Sequence, residues 1–167
     1  GKVCKWDITT RTSTNIETGE NRIISIDISS DGKHIAGINT DGRVIVWNSD
    51  GSPDYFKIET PRKNIKVIRF KPDDNILAVG DADGIVEIWD ISSRKRLSEV
   101  KAHTAQVNDI QFNPVLRQMA TAGNDKRIRI FNATDIKDLS EPPVVLADNE
   151  GFVLEMQFSP DGQLIVS

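Results

Sequence analysis

The strongest constraint in this 167-residue sequence is a short motif that recurs at an almost constant interval. An aromatic residue followed by Asp or Asn occurs at Trp6, Trp47, Trp89 and Phe131, at steps of 41, 42 and 42 residues. A period of this length indicates one small structural unit repeated along the chain, in which each unit buries surface against its neighbours. The repeat therefore limits the fold to a stacked array before any single strand is assigned.

The residues between these motifs have the pattern of short β-strands. Segments such as 68–71 alternate apolar and polar side chains, which is typical of a half-buried strand. An apolar run follows at 76–79, and Asp83-Gly84 then predicts a hairpin into residues 86–89. With a weaker, more polar strand after each aromatic, every repeat is predicted to hold four short antiparallel strands.

The period, the turns and the strand pattern together resemble the WD40-repeat family of β-propellers, and the resemblance covers the whole chain. It implies an all-β fold of four-stranded antiparallel blades around a central channel. The chain is predicted to hold about four blades' worth of sheet, or 16 strands. The predicted units are residues 1–22 (third and fourth strands of a blade), 23–64, 65–106 and 107–152 (whole blades), and 153–167 (first and second strands of a blade).

Both ends of the sequence fall in the same hairpin of a blade, which leaves three geometries open. The chain could close a four-bladed ring, exchange half-blades with a second copy to form a dimeric eight-bladed ring, or belong to a longer propeller of seven or eight blades. We expect the last, because residue 1 is a glycine inside a blade. Homodimerisation by half-blade exchange stays open as the alternative.

The resemblance also implies a structural tetrad in each blade: a His before the first strand, a Ser or Thr in the second, an Asp in the following turn, and the Trp. The third repeat carries His103, Thr121 and Asp125, but Phe131 replaces Trp and has no indole N–H to donate. The tetrad-like positions elsewhere are Asp41, Trp47, Asp83, Trp89, Trp6 and Ser167. Each Asp of the set is expected to cap its tight turn.

Function is predicted to lie in the loops, because side chains without a packing role are available to partners. The resemblance implies that the loops entering each first strand and those joining second to third strands share one face, which commonly binds proteins or peptides. The candidate partner-binding residues on this face are Glu20, Asn21, Arg22, Arg62, Lys63, Asn64, Thr104, Gln106, Asn124, Lys126, Arg127, Asn149 and Glu150. The predicted function is a non-catalytic scaffold for a protein or peptide; the alternative is a propeller enzyme or a small-ligand or carbohydrate-binding module that uses the channel mouth.

Composition argues against several other classes of protein. The net charge is −4 with both signs interspersed, and no aromatic platform is evident, so no nucleic-acid partner is predicted. No apolar run approaches a membrane span of about 18 residues. His34 and His103 are isolated from each other, and zinc-ligand spacing, a nucleophile elbow and a phosphate loop are missing, so no catalytic residue, metal or cofactor is predicted. Cys4 is the only cysteine, which favours a cytoplasmic, reducing location.

One connection between repeats is longer than the others. From Phe131 to Val153 is 22 residues, against 18 from Trp89 to Val107, and the extra residues fall around 135–143. We interpret this segment as a change of length in a surface loop, with a docking edge on the outer rim as the alternative.

Overall fold

The computed structural model describes residues 1–19, 22–72 and 75–167, which form β-strands and turns without a helix. These residues make sixteen strands in five antiparallel sheets, and each sheet is built from strands that are consecutive in sequence. The predicted all-β fold, a partial β-propeller of four-stranded antiparallel sheets, is confirmed.

The strands are grouped by sheet in chain order. The first sheet pairs β1 (Lys2–Asp7) with β2 (Thr12–Glu17). The first full blade contains β3 (Ile23–Ile28), β4 (His34–Asn39), β5 (Val44–Asn48) and β6 (Tyr55–Lys57). The second contains β7 (Ile65–Phe70), β8 (Ile76–Asp81), β9 (Ile85–Asp90) and β10 (Lys95–Lys101). The third contains β11 (Val107–Phe112), β12 (Gln118–Gly123), β13 (Ile128–Asn132) and β14 (Val144–Leu146). The last sheet pairs β15 (Gln157–Phe158) with β16 (Ile165–Val166).

The hydrophobic core lies between neighbouring blades. Val44 and Val46 of the first blade pack with Leu77 and Val79 of the second in one buried cluster. A separate cluster joins the second and third blades, with Met119 fully buried. Because each cluster draws on two adjacent blades, the stability of one blade depends on the presence of the next.

Each first strand of a full blade carries a β-bulge near its beginning. The register shifts leave Ile24, Lys66 and Asn108 as the extra residues, at a spacing of 42. A bulge turns its side chain out of the normal alternation and increases the local twist. The three bulged side chains therefore occupy equivalent positions at the end of the first strand that adjoins the predicted partner-binding loops.

The long connection after β13 packs on the neighbouring blade. Leu139 is buried and Ile136 half-buried in a cluster with Leu97 and Val100 of β10. The Ser98 hydroxyl also donates a hydrogen bond to the carbonyl of Ile136, at 2.8 Å. The extra residues thus hold the second and third blades together at their outer rim, a role that an interpretation as simple loop-length variation misses.

The turn between β12 and β13 contains a left-handed residue that is not glycine. Lys126 has φ of 64°, whereas the matching residues of the other full blades are Gly42 and Gly84, with φ of 71° and 84°. A left-handed conformation costs a residue with a Cβ roughly 1 to 2 kcal/mol. This turn therefore carries strain that the turns of the other two blades avoid.

We expect Lys126→Gly to raise the free energy of unfolding by about 0.5 to 1 kcal/mol, because the relief of strain exceeds the entropy that glycine adds to the unfolded chain. The contact that is lost, from Lys126 Nζ to the carbonyl of Glu150, is exposed and contributes little. Urea denaturation measures the change. Arg127→Gly, at the next position and without a positive φ, is the matched control and is expected to bring no gain; a loss of stability in Lys126→Gly would contradict the strain.

Candidate functional site

The predicted partner-binding residues fall on connections that the fold brings to one face, here called the loop face. It comprises the segments before β3, β7, β11 and β15 and the turns β4–β5, β8–β9 and β12–β13. Backbone hydrogen bonds join an entering segment to a turn within each full blade, as from Asn124 N–H to the Gln106 carbonyl at 2.9 Å and from Thr40 N–H to the Arg22 carbonyl at 2.9 Å. Glu20 and Asn21 lie outside the described residues.

Several of the candidate residues form hydrogen bonds across the loop face. Lys126 donates to the carbonyl of Glu150 at 2.9 Å, and the Thr104 N–H donates to Asp125 at 3.2 Å. Ser167 donates to Asn149 at 3.1 Å. Segments that are distant in sequence are thereby held as one surface.

A ladder of side-chain amides crosses the loop face at the third blade. Gln106 Nε2 donates to Asn108 Oδ1 at 2.8 Å, and Asn108 Nδ2 donates to Asn124 Oδ1 at 2.7 Å. Asn108 Nδ2 also donates to the carbonyl of Val153 at 2.8 Å. Since a carbonyl can only accept, this last bond sets the orientation of the Asn108 amide and, through it, the orientation of its two neighbours.

The ends of this amide ladder are one acceptor and one donor. Gln106 Oε1 and Asn124 Nδ2 have no hydrogen-bond partner within the described part of the chain, and both residues are half-buried. A peptide group offers the complementary N–H and carbonyl. Asn108 was not among the residues predicted from sequence, although the spacing of 42 residues from Ile24 to Lys66 and from Lys66 to Asn108 is visible there.

Arg62, a candidate partner-binding residue, is bound inside the protein. Its Nη2 donates to Glu99 Oε1 at 2.5 Å, and its Nε lies 3.8 Å from Glu87 Oε1. Glu87 is 1% exposed and also accepts from Arg96 at 2.8 Å and from the Trp89 indole N–H at 3.0 Å. The side chain of Arg62 therefore supports the second blade, and its neighbours Lys63 and Asn64 stay exposed.

The tetrad-like residues of the third blade come together around His103, which is 1% exposed. His103 Nδ1 lies 2.7 Å from Asp125 Oδ1, and Nε2 lies 2.9 Å from Thr121 Oγ1. Arg129, which was not among the predicted tetrad-like residues, donates to Asp125 Oδ2 at 2.8 Å. Phe131 is buried, so the aromatic position is filled by packing alone.

Burial lowers the pKa of His103 below its ordinary value of 6.5, because a buried site disfavours the imidazolium. The hydrogen bond and negative charge of Asp125 oppose this shift, and the charge of Arg129 adds to it. Burial alone would raise the pKa of Asp125, but hydrogen bonds from His103, Thr104 and Arg129 outweigh it and hold this pKa below its ordinary value of 3.8. The folded state therefore contains a neutral His103 beside an ionised Asp125 at neutral pH.

We expect stability to fall as the pH is lowered through about 6.5, because the unfolded chain then binds a proton at His103 that the folded protein does not. The loss has a slope of at most about 1.4 kcal/mol per pH unit for this one group. Urea denaturation between about pH 8 and pH 5 measures it, and His103→Gln is expected to have a flatter profile. An NMR titration of the imidazole that gave a pKa above 6.5 would contradict the prediction.

The turns of the first and second blades are capped by residues other than those predicted. Asn39 Oδ1 accepts from the N–H groups of Asp41 and Arg43, both at 3.0 Å. Asp81 Oδ1 accepts from those of Asp83 and Ile85, at 2.9 and 2.8 Å. In these two turns the capping side chain therefore lies two residues before Asp41 and Asp83.

The reason for this difference is the presence or absence of a histidine. In the third blade the cap position is Gly123, where a Cβ would lie 2.6 Å from His103 Nδ1. The first and second blades have Gly19 and Pro61 at the His position, so a side chain at the cap position meets no imidazole ring. Either the imidazole or an Asx side chain can occupy this space, and the sequence far from the turn decides which.

The aromatic positions differ in their surroundings. Trp47 is 2% exposed, and its ring lies where a Cβ on Gly37 would come within 2.9 Å, which accounts for glycine at the Ser/Thr position of that blade. Trp6 is 64% exposed on β1. Ser167 is exposed, with its hydroxyl on Asn149. The full-blade aromatics therefore pack inside the protein, whereas Trp6 does not.

Residues 1–19, 22–72 and 75–167 contain neither a metal-binding cluster nor a membrane-spanning helix. Within these ranges, no three His, Cys, Asp or Glu side chains converge in a way that could hold a metal ion. No helix there is long and apolar enough to cross a membrane.

Comparisons with known proteins agree with this architecture. Residues 35–115 match the family described as "Anaphase-promoting complex subunit 4 WD40 domain", and residues 11–48 match "WD domain, G-beta repeat". A search of curated proteins finds no match. Among solved structures, a chain of "Crystal Structure of Mitotic Checkpoint Complex" superposes with a TM-score of 0.81 at 18% identity, over 95% of this chain and 48% of that chain.

The sequence matches and the structural likeness cover complementary features. The sequence matches recognise the repeat over the N-terminal two thirds of the chain, and the structural likeness covers nearly all of it. The chain spans about half the length of the solved propeller chain that it resembles. The repeat, the antiparallel blades and these matches together show that the chain belongs to the WD40-repeat family of β-propellers.

Proposed function

We propose that this chain is a non-catalytic scaffold that binds a protein or peptide partner through its loop face. WD40 repeats act generally as protein-interaction scaffolds, and the solved propeller that it resembles belongs to a multiprotein complex. The single observation that carries the proposal is the amide ladder of Gln106, Asn108 and Asn124, which presents an oriented acceptor and donor on the loop face.

The ladder suits an extended peptide better than a small solute. Its inner hydrogen bonds hold Gln106 and Asn124 in place before a partner arrives, so less side-chain entropy is lost on binding. The acceptor and the donor at its two ends can each bond a backbone peptide group, and neither reads a particular side chain. Selectivity must then come from residues around the ladder, among them Lys126, Arg127 and Thr104, which are exposed.

The test compares two variants as baits in affinity capture followed by mass spectrometry. Gln106→Ala with Asn124→Ala removes both ends of the ladder, and Arg117→Ala, in the β11–β12 turn on the opposite face, is the matched control. Proteins that the control retains and the double variant loses are purified, and their Kd is measured. We expect about a 10-fold weaker Kd for the double variant, as for the loss of two hydrogen bonds.

Two outcomes would overturn the proposal. One is that every captured protein binds the double variant and the control equally well. The other is sugar binding or metal-dependent hydrolysis at the channel mouth that the loop-face variant leaves unchanged, which would favour an enzyme or lectin.

The cytoplasmic location stays a prediction that rests on the single cysteine, Cys4.

A further inference from the structure

A pocket of about 630 Å³ opens on the loop face of the first blade, away from the amide ladder. It lies between the β4–β5 turn, residues 41–43, and the segment 57–64 that leads from β6 to β7. The two walls are fixed to each other, because the Ile65 N–H donates to the Gly42 carbonyl at 3.4 Å and the Gly42 Cα side abuts the backbone of Asn64. The pocket is therefore part of the folded framework.

The charge of this pocket is opposite to that of the whole chain. Arg43, Lys57, Arg62 and Lys63 line it, against Asp41 and Glu59. The protein carries a net charge of −4. A local excess of cations inside an acidic protein creates a positive potential that acts mainly at close range, since salt screens longer distances.

Three of the four cations are available to a ligand. Arg43, Lys57 and Lys63 have no hydrogen-bond or ion-pair partner for their charged groups within residues 1–19, 22–72 and 75–167. Arg62 is different, because Glu99 and Glu87 hold its guanidinium. The three unpaired groups come from a turn, a strand end and a loop, so only the fold places them around one cavity.

We propose that this pocket binds an acidic segment of the protein partner, with Asp or Glu carboxylates of that segment paired to Arg43, Lys57 and Lys63. The inference rests on the proposed function and names the chemistry of the partner. Arginine can take a carboxylate in a bidentate manner, and the lysines add point charges. Ile58 and Pro61, which also line the pocket, supply apolar surface for the methylene groups of such side chains.

An acidic peptide fits the pocket better than a nucleic acid does. Residues lining the pocket include no aromatic side chain on which a base could stack. A nucleic acid would also bring a continuous row of phosphates toward a protein of net charge −4, whereas a short acidic segment needs only the local excess of cations.

The experiment measures binding of fluorescein-labelled hexaglutamate to the full chain by fluorescence anisotropy. The test variant carries Arg43→Gln, Lys57→Gln and Lys63→Gln. The matched control carries Lys95→Gln, Arg117→Gln and Lys137→Gln, which removes the same total charge from exposed residues outside the pocket. We expect the test variant to bind about 10-fold more weakly and the control to change less than about 2-fold.

Three outcomes would overturn the inference: no binding of hexaglutamate, equal losses in the two variants, or tighter binding of an oligothymidylate with the same dependence on the three residues. The last outcome would assign the pocket to nucleic acid. Thermal unfolding of both variants shows that they are folded. Because the ladder variants test partner binding at another blade, their result can stand when the acidic peptide fails, and the two failures are distinguishable.

Discussion

Replacing Gly84 by alanine is expected to lower the free energy of unfolding by about 4 kcal/mol or more. Gly84 has φ of 84°, and a Cβ at this position would overlap the carbonyl oxygen of His103 and lie 2.5 Å from that of Ala105. Both obstacles are backbone atoms of the segment entering the third blade, so no side-chain rotation relieves them. The His103 N–H also donates to the Gly84 carbonyl at 2.9 Å, which fixes the close approach.

Substitutions at two other glycines separate the two causes of this loss of stability, the left-handed backbone and the close backbone approach. Gly32→Ala tests the left-handed backbone alone, because φ is 70° and nothing lies near the added Cβ, and is expected to cost about 1 kcal/mol. Gly151→Ala has neither problem and is expected to be neutral or slightly stabilising. Urea denaturation of the three variants gives the comparison. If Gly84→Ala lost no more stability than Gly32→Ala, the close backbone approach would be refuted.

Glu87→Ala is expected to cost about 3 kcal/mol, the second largest effect. The Glu87 carboxylate is buried and accepts from Arg96 and from the Trp89 indole, with Arg62 close by. Its removal leaves an indole N–H without its acceptor and two arginines that share the half-exposed Glu99. Chemical denaturation at neutral pH measures the loss.

Two substitutions serve as controls for Glu87→Ala. Glu99→Ala removes a carboxylate from the same two arginines at a more exposed position and is expected to cost less than about 1 kcal/mol. Glu87→Gln retains an acceptor for the Trp89 indole and is expected to fall between the two. Equal losses for Glu87→Ala and Glu99→Ala would mean that burial of Glu87 does not govern its contribution.

Much of the fold could be predicted because it follows from local chemistry. Strand alternation and Asp-Gly turns depend on residues a few positions apart, and their repetition at 42 residues made each assignment support the others. The turn caps could not be predicted in the same way. Whether Asp81 or an imidazole fills the space behind a turn depends on Pro61 or His103, about twenty residues earlier in the chain.

The candidate site, too, could be predicted only in part. The loop face could be outlined from the positions of the turns. Arg62, however, proved to be paired within the second blade. Asn108 was missed because its side-chain direction is set by a β-bulge. A bulge is a mismatch between two strands, so one strand read alone does not reveal it. Arg43 and Lys57 were likewise unremarkable in sequence until the fold placed them around one pocket.

By itself, the sequence determined the repeat, its four strands and its membership of a propeller family, because these depend on short-range periodicity and turn chemistry. Only the tertiary structure decided which polar groups are paired within the protein and which remain available to a partner. That choice depends on distances between blades, as in the amide ladder that ends on the carbonyl of Val153 and the buried carboxylate of Glu87 between two arginines. Such contacts join residues whose separation along the chain carries no signal of their meeting in space.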